Sequence, residues 1–252
     1  MPIRRQFEAR AIEAPDIKRG RLDAQYVRVL TRLLAAHALA EKLTADGYQR
    51  VLSSIDDTAL RSVAEKNLEE ERRHAALAYR VLAEVGVSES NADRLMITAR
   101  RSPSFDAPRY FAEQASGALD LVMASISLDM TGLIMIGVNY KESSYAPHAR
   151  AAEIILEEEA EHDLFSAAEL GAAVKRFGAE AVNEALRQWL PRAVNFFGPP
   201  GSGFSYDCLR FGLKSKDNQE LADLYLVMLE KRLAKVGLSM PRLTSDYPHA
   251  LA

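Results

Sequence analysis

Two histidines in this chain are each preceded, three residues earlier, by a glutamate: Glu71 stands before His74 and Glu159 before His162. Residues three apart on a helix project side by side, so each pair can converge on one point if its segment is helical. A helix that carries such a pair on its apolar stripe must face neighbours that compensate it, because buried charge without a partner is costly. This confines the chain to long helices packed around a shared polar centre.

Apolar spacing places those helices. A first is expected from about Asp23 to Asp46, with Tyr26, Leu30, Leu33, Leu34 and Ala38 three and four apart, His37 and Glu41 on the same stripe, and Gly47 as its end. A second is expected to start at the capping pair Asp56-Asp57 and to run to Val85-Gly86. Its stripe is Leu60, Ala64, Asn67, Glu71, His74, Ala78, Val81 and Val85, which leaves Glu65, Glu69, Glu70, Arg72, Arg73 and Arg80 on a solvated face. Residues 88–108 are rich in Ser, Arg and Pro and are expected to form a connection. A third helix is expected from about Arg109 to Tyr140, where Leu119, Val122, Ile126, Leu133 and Ile136 define the apolar face. At roughly 100° per residue, Asp129 is in phase with that face, whereas Glu113 and Asp120 fall opposite. A fourth, from about Pro147 to Phe177, aligns Ala152, Ile155, Glu159, His162, Ser166, Leu170 and Ala173 and leaves Glu157, Glu158 and Glu161 pointing elsewhere. A fifth (about Glu180 to Asn195) and a sixth (about Asn218 to Val236) flank Phe196-Phe197-Gly198-Pro199-Pro200. No segment shows clean strand alternation. The expected architecture is all-α: a four-helix bundle with two additional C-terminal helices, forming one domain over residues 1–252. Within it, residues 1–20 form an arm, about 23–177 the core bundle and about 180–236 the C-terminal helices.

Composition removes several classes of function. A formal net charge of -3 leaves no basic footprint for nucleic acid, and the single Cys208 excludes an intramolecular disulfide framework and fits a reducing, cytoplasmic setting. Met1 to Arg10 is charged and lacks the apolar core of a secretory signal. The run Leu119 to Val138 is the most membrane-like stretch, but Asp120 and Asp129 interrupt it, so a buried protein helix is expected and no membrane association.

Four helices thus each bring charge to the core: Glu41; Glu71 with His74; Asp129; and Glu159 with His162. One carboxylate from each of two helices and Glu-x-x-His from each of two others is the layout of ferritin-like di-metal bundles, in which Glu71 and Glu159 can bridge two ions. Gathered in an apolar core, four carboxylates repel one another and are driven toward protonation unless two divalent cations cancel them. Mixed carboxylate and imidazole donors suit iron or manganese better than thiolate-loving metals. A set of buried ion pairs without metal is the alternative. His37 is either a partner orienting a ligand or a satisfied core histidine, and His148 and His249 are expected to be peripheral.

These residues carry a resemblance. The chain resembles the phenylacetic acid catabolic family of ferritin-like di-iron proteins, in particular its catalytic epoxidase subunits, from roughly Asp23 to Pro241. The similar segments are Leu30-Thr31-Arg32-Leu33 with His37 and Glu41, Glu71 with His74, Ser144-Tyr145-Ala146-Pro147 with Ala149-Arg150-Ala151, Glu158-Glu159 with His162, and Phe197-Gly198-Pro199. Glu220-Leu221 and Gly237-Leu238 with Pro241 follow in order, while the segment Arg100 to Pro108 departs from the family's pattern. The resemblance implies a di-iron monooxygenase that inserts one atom of dioxygen into an aromatic, CoA-linked substrate. It implies electrons from NADPH through a separate reductase subunit, a same-fold structural partner subunit and therefore an oligomer. Glu41, Glu71, His74, Asp129, Glu159 and His162 would be the iron ligands. Arg100, Arg101, Lys214 and Lys216 are either solvated surface cations or a group available to the phosphates of a CoA. A non-catalytic structural subunit and a ferroxidase are the alternatives of the same fold.

Overall fold

The computed structural model describes residues 3–241 and is built of helices joined by short connections, as the periodicities predict; among the described residues there is no β-strand, and β-type pairing is confined to one isolated parallel bridge between Ile12 and Tyr145. The elements are α1 (Ala14–Lys18), α2 (Ala24–Leu52), α3 (Thr58–Glu84), α4 (Glu89–Met96), α5 (Asp106–Glu113), α6 (Gly117–Ala124), α7 (Met130–Ile134), α8 (Ala146–Phe177), α9 (Ala179–Phe196), α10 (Gly203–Arg210) and α11 (Asn218–Lys235). The starts follow local chemistry. Asp23 accepts from the Gln25 N–H at the head of α2, Asp57 from Ala59 and Leu60 at the head of α3, and Asp217 forms a reciprocal box with Glu220 at the head of α11. Helices α2 and α3 pack along each other, α8 lies against α3 and against the run through α6 and α7, and α9 lies against α5, α6 and α8.

Four expectations need correction. The first helix does not stop at Gly47 but continues to Leu52. Gly47 is a packing residue: a Cβ there would come within 2.1 Å of Phe111 Cδ1, so the missing side chain is what lets α5 lie against α2. The third helix is two pieces. It breaks after α5 at Gln114, and Asp120 caps the restart by accepting from the Ser116 N–H at 2.9 Å and from Trp189 Nε1 at 3.1 Å. The restarted run, Gly117–Glu142, contains π-helical stretches at Ser125–Asp129 and Met135–Asn139. Each π turn adds about one residue to the helix, so phase computed from an ideal pitch drifts, and Leu133 ends up half-buried while Ile134 and Met135 are buried. Residues 88–108 are not a plain loop but hold α4 and two short 3₁₀ turns.

The N-terminal arm also carries structure beyond an irregular tail. The Arg10 and Ile12 N–H groups donate to the Ser143 and Ser144 carbonyls, and Ile12 in turn accepts from the Ala146 N–H at 2.8 Å. Tyr26 Oη lies 3.1 Å from Ser144 Oγ. The Ser-Tyr-Ala-Pro segment is therefore the platform on which the arm docks before α8 begins. The apolar run Gly117–Glu142 is long enough to cross a membrane, yet 78% of its most apolar window is buried within the protein. His249 and the side chain of Ser166 lie outside what the structure describes.

Gly47→Ala tests the packing claim. Helix propensity alone favours alanine by about 1 kcal/mol, but overpacking a filled core typically costs about 1–3 kcal/mol. Phe111 has little freedom to yield, being fully buried with its ring 5.1 Å from that of Tyr48 and 6.1 Å from that of Trp189. Thermal unfolding should show a lower Tm for Gly47→Ala, partly recovered in Gly47→Ala/Phe111→Leu; a raised Tm would contradict this packing.

Candidate metal centre

The structure gathers the six side chains singled out by spacing. Glu41 comes from α2, Glu71 and His74 from α3, Asp129 from the π turn between α6 and α7, and Glu159 and His162 from α8; none is more than 7% exposed. Donor atoms of Glu41, Glu71, His74 and Glu159 lie within 4.8 Å of one another, and so do those of Glu71, Asp129 and His162. Glu71 belongs to both groups, with Oε2 3.9 Å from His74 Nδ1 and Oε1 3.8 Å from His162 Nδ1. Glu159 groups with the first, Oε1 lying 3.5 Å from His74 Nδ1. Two π turns on the Asp129 run, and Gly132 one turn beyond, fit it closely against α8: a Cβ on Gly132 would lie 3.1 Å from Glu159 Oε2. A cavity of about 30 Å³ lies among Glu41, Glu71, Asp129 and Glu159.

The outer contacts are crossed between α3 and α8. His74 Nε2 donates to Glu158 Oε2 at 2.9 Å, and His162 Nε2 donates to Glu70 Oε2 at 2.8 Å. A carboxylate can only accept, so each Nε2 carries a proton, and in the neutral ring Nδ1 then presents a bare lone pair inward. Those two Nδ1 atoms and Glu71 Oε2 are buried and have no hydrogen-bond partner. His37 Nε2 lies 2.8 Å from Glu41 Oε1, and its Nδ1 lies 3.1 Å from His148 Nε2. Tyr48 Oη donates to Asp129 at 3.3 Å and accepts from Asn67 Nδ2 at 3.2 Å.

Three of these partners overturn expectations. Glu70 is buried rather than solvated, Glu158 turns toward His74, and His148 is buried under His37 rather than peripheral. Glu70 and Glu158 each sit beside a centre carboxylate in a run of three glutamates, 69–71 and 157–159, and the run does not show which neighbour turns inward. Each run puts one carboxylate into the centre and a neighbour against the imidazole of the opposite helix.

Unpaired, this charge is costly. Burial and the charges of Glu159, Glu41 and Asp129 push the Glu71 carboxyl well above the usual range. Burial acts the same way on Glu41, but the hydrogen bond and charge of His37 prevail and hold it down to about 2. Burial lowers the pKa of His74, favouring its neutral form. Divalent cations reverse this balance, because a bound cation is the largest local charge. Unpartnered inward Nδ1 atoms, a carboxylate shared by two donor groups and a small space between the carboxylates fit a pair of such ions.

Of the four cations weighed between a solvated surface and a CoA's phosphates, three stay at the surface. Arg100 pairs with Glu113 at 2.8 Å, Arg101 is exposed and Lys216 pairs with Glu220 at 3.0 Å. Lys214 is 5% exposed and alone of the four lines a cavity of about 220 Å³ that reaches Glu41, His37 and Gly132. Its Nζ donates to Asn218 Oδ1 at 2.6 Å, and Asn218 Nδ2 donates to the Pro199 carbonyl at 2.9 Å. The Phe197-Gly198-Pro199 segment thus forms part of the cavity wall, with Gly198 at φ 88° lying close enough that a Cβ would meet Asn218 Nδ2 at 3.0 Å.

A model of the phenylacetic acid catabolic protein family matches residues 68–248, and the chain belongs to that family. The match includes Glu71, His74, Asp129, Glu159 and His162; Glu41 precedes it and joins the group by geometry alone. Comparison with curated protein sequences gives no match. Among solved structures, protein 19 with aldehyde deformylating oxidase activity from Synechococcus is similar, with a TM-score of 0.64 over 86% of this chain and 94% of that one at 17% identity. Likeness at that identity shows the fold alone, and the fold is the ferritin-like bundle.

The raised Glu71 carboxyl gives a test with a defined sign. In metal-free protein the folded state holds this proton where an unfolded Glu, with a pKa of about 4.3, has lost it, so stability falls as pH rises above that value. Glu71→Gln removes the penalty. In chelator-treated protein its Tm should exceed that of wild type by a margin that grows from about pH 5 to pH 8, a few degrees for each kcal/mol. A margin that shrinks with rising pH would contradict the account.

Proposed function

We propose that this chain is the oxygen-activating subunit of a multicomponent di-iron monooxygenase acting on an aromatic, CoA-linked substrate. Glu41, Glu71, His74, Asp129, Glu159 and His162 would hold two iron ions, with manganese the alternative occupant. Such a pair supplies the reduction of dioxygen, one atom going to the substrate and the other leaving as water. Electrons would come from NADPH through a separate reductase, and a same-fold subunit would complete the assembly.

The single observation that carries this reading is the cavity abutting Glu41 and Gly132. A storage or ferroxidase site needs no organic pocket, whereas here the centre opens toward apolar walls that include Leu33, Met96, Phe105 and Ile136. These walls suit a ring and exclude water from it. Lys214 supplies the polar end. It is a buried amine that donates to the neutral Asn218 amide, and burial lowers its pKa, so an electron-rich group on a ligand would restore its charge balance. The acyl carbonyl or a phosphate of a CoA thioester has that character. At another part of the cavity lining, the Arg32 guanidinium stacks 4.2 Å over Phe204, presenting a second cation. On the opposite side of the centre, Glu70 and Glu158 keep the two imidazoles in the tautomer that points Nδ1 inward.

Iron-loaded, chemically reduced protein incubated with oxygen and a panel of aromatic acyl-CoAs and free acids should yield, by mass spectrometry, a product heavier by one oxygen. Lys214→Met should raise KM for the thioester by about 10-fold or more, the scale of losing a hydrogen bond to a charged group, and change kcat less. Oxygen uptake that depends on iron alone and ignores every member of the panel would replace this reading with a ferroxidase.

A further inference from the structure

Outside the candidate centre, one surface cation connects both imidazoles. Arg73 Nη2 lies 2.8 Å from Glu158 Oε1 and 3.5 Å from Glu70 Oε1. The second oxygen of each carboxylate is the one that accepts from an imidazole, Glu158 Oε2 from His74 and Glu70 Oε2 from His162. The contacts therefore form a continuous chain, His74 to Glu158 to Arg73 to Glu70 to His162, that runs around the outside of the centre and joins α3 to α8. We propose that Arg73 is a positioning residue that couples the two metal positions by fixing both outer carboxylates at once. This inference rests on the metal reading given under Proposed function.

An exposed ion pair ordinarily contributes little, and the Arg73 side chain is 56% exposed. These two pairs differ in that their inner ends are not free. The Glu70 side chain is 9% exposed and the Glu158 side chain 31%, and each has its other oxygen committed to a buried imidazole. Whatever turns one of these carboxylates also turns the N–H···O contact that orients a ring, and with it the direction of the inward Nδ1. Lys66 provides the internal comparison. It lies 3.6 Å from Glu70 Oε1 and 2.8 Å from Glu161, so it acts on the His162 side only. Arg73 is the group placed to act on both sides. It approaches both carboxylates through the same nitrogen, so a lysine of similar reach can take over part of the role.

The test is cobalt(II) titration of the full chain, read by visible absorption and by competition with a chelator. Removing a group that orients a metal-bound histidine commonly costs about 10–100-fold in affinity, and Arg73, one contact further out, should cost about 3- to 10-fold. Arg73→Met should weaken both cobalt equivalents and alter the absorption bands of both. Lys66→Met should weaken one, and Arg73→Lys should recover most of the loss, while the Tm of the metal-free variants stays near that of wild type. Two equivalents bound by Arg73→Met with wild-type affinities and bands would overturn the coupling role while leaving the metal reading intact. A wild-type chain that binds no cobalt would overturn the metal reading and the coupling role with it.

Discussion

Glu41, Glu71, Asp129 and Glu159 cannot all be charged in one apolar core without compensation, and the surrounding structure answers to that constraint. Two buried imidazoles face them with lone pairs rather than protons, because Glu158 and Glu70 have taken the Nε2 protons as hydrogen bonds. Tyr48 and Asn67 steady Asp129, and His37, backed by His148, steadies Glu41. What stays unsettled in the protein alone is Glu71, repelled by its neighbours and shared between the two donor groups. Replacing a buried ion pair by apolar residues is often neutral or stabilising, so a bundle built only for stability would gain nothing by assembling this cluster.

The helices divide the work between two sides of the centre. Toward α3 and α8, the imidazoles are held by carboxylates that reach out to Arg73 and Lys66. On the side of α2 and α7, Glu41 and Gly132 border the cavity that ends at Lys214 and Asn218. Gly132 takes part in both tasks, since its missing side chain brings Glu159 close to α7 and opens the cavity beside it. The contacts that orient the imidazoles thus lie on α3 and α8, away from the cavity wall, and Glu41 is the residue common to the donor cluster and the cavity.

Most of this was legible in the sequence where ideal helix geometry holds. The stripes on α2, α3 and α8 placed Glu41, Glu71, His74, Glu159 and His162 at the core because those helices are long and regular. Asp129 was placed correctly although the segment around it is π-helical, since its distance from Val122 and Ile126 was too short for the drift to matter; by Leu133 the drift shows. Glu70 and Glu158 were not legible as imidazole partners because their contacts cross between helices, and single-helix phase puts both on a solvated face. His148 was missed because the ring-to-ring contact with His37 depends on how α8 packs on α2. Gly47 was misread as a stop because its meaning lies in Phe111, more than sixty residues away.

The central claim, that six side chains from four segments hold two ions between them, is tested most directly by anomalous diffraction at the iron edge from crystals of iron-loaded protein. The account predicts two peaks flanking the Glu71 carboxylate, one beside His74 with Glu41 and Glu159, the other beside His162 with Asp129. Crystals of fully loaded protein with no anomalous peak among these residues, or with iron only at exposed carboxylates, would contradict it.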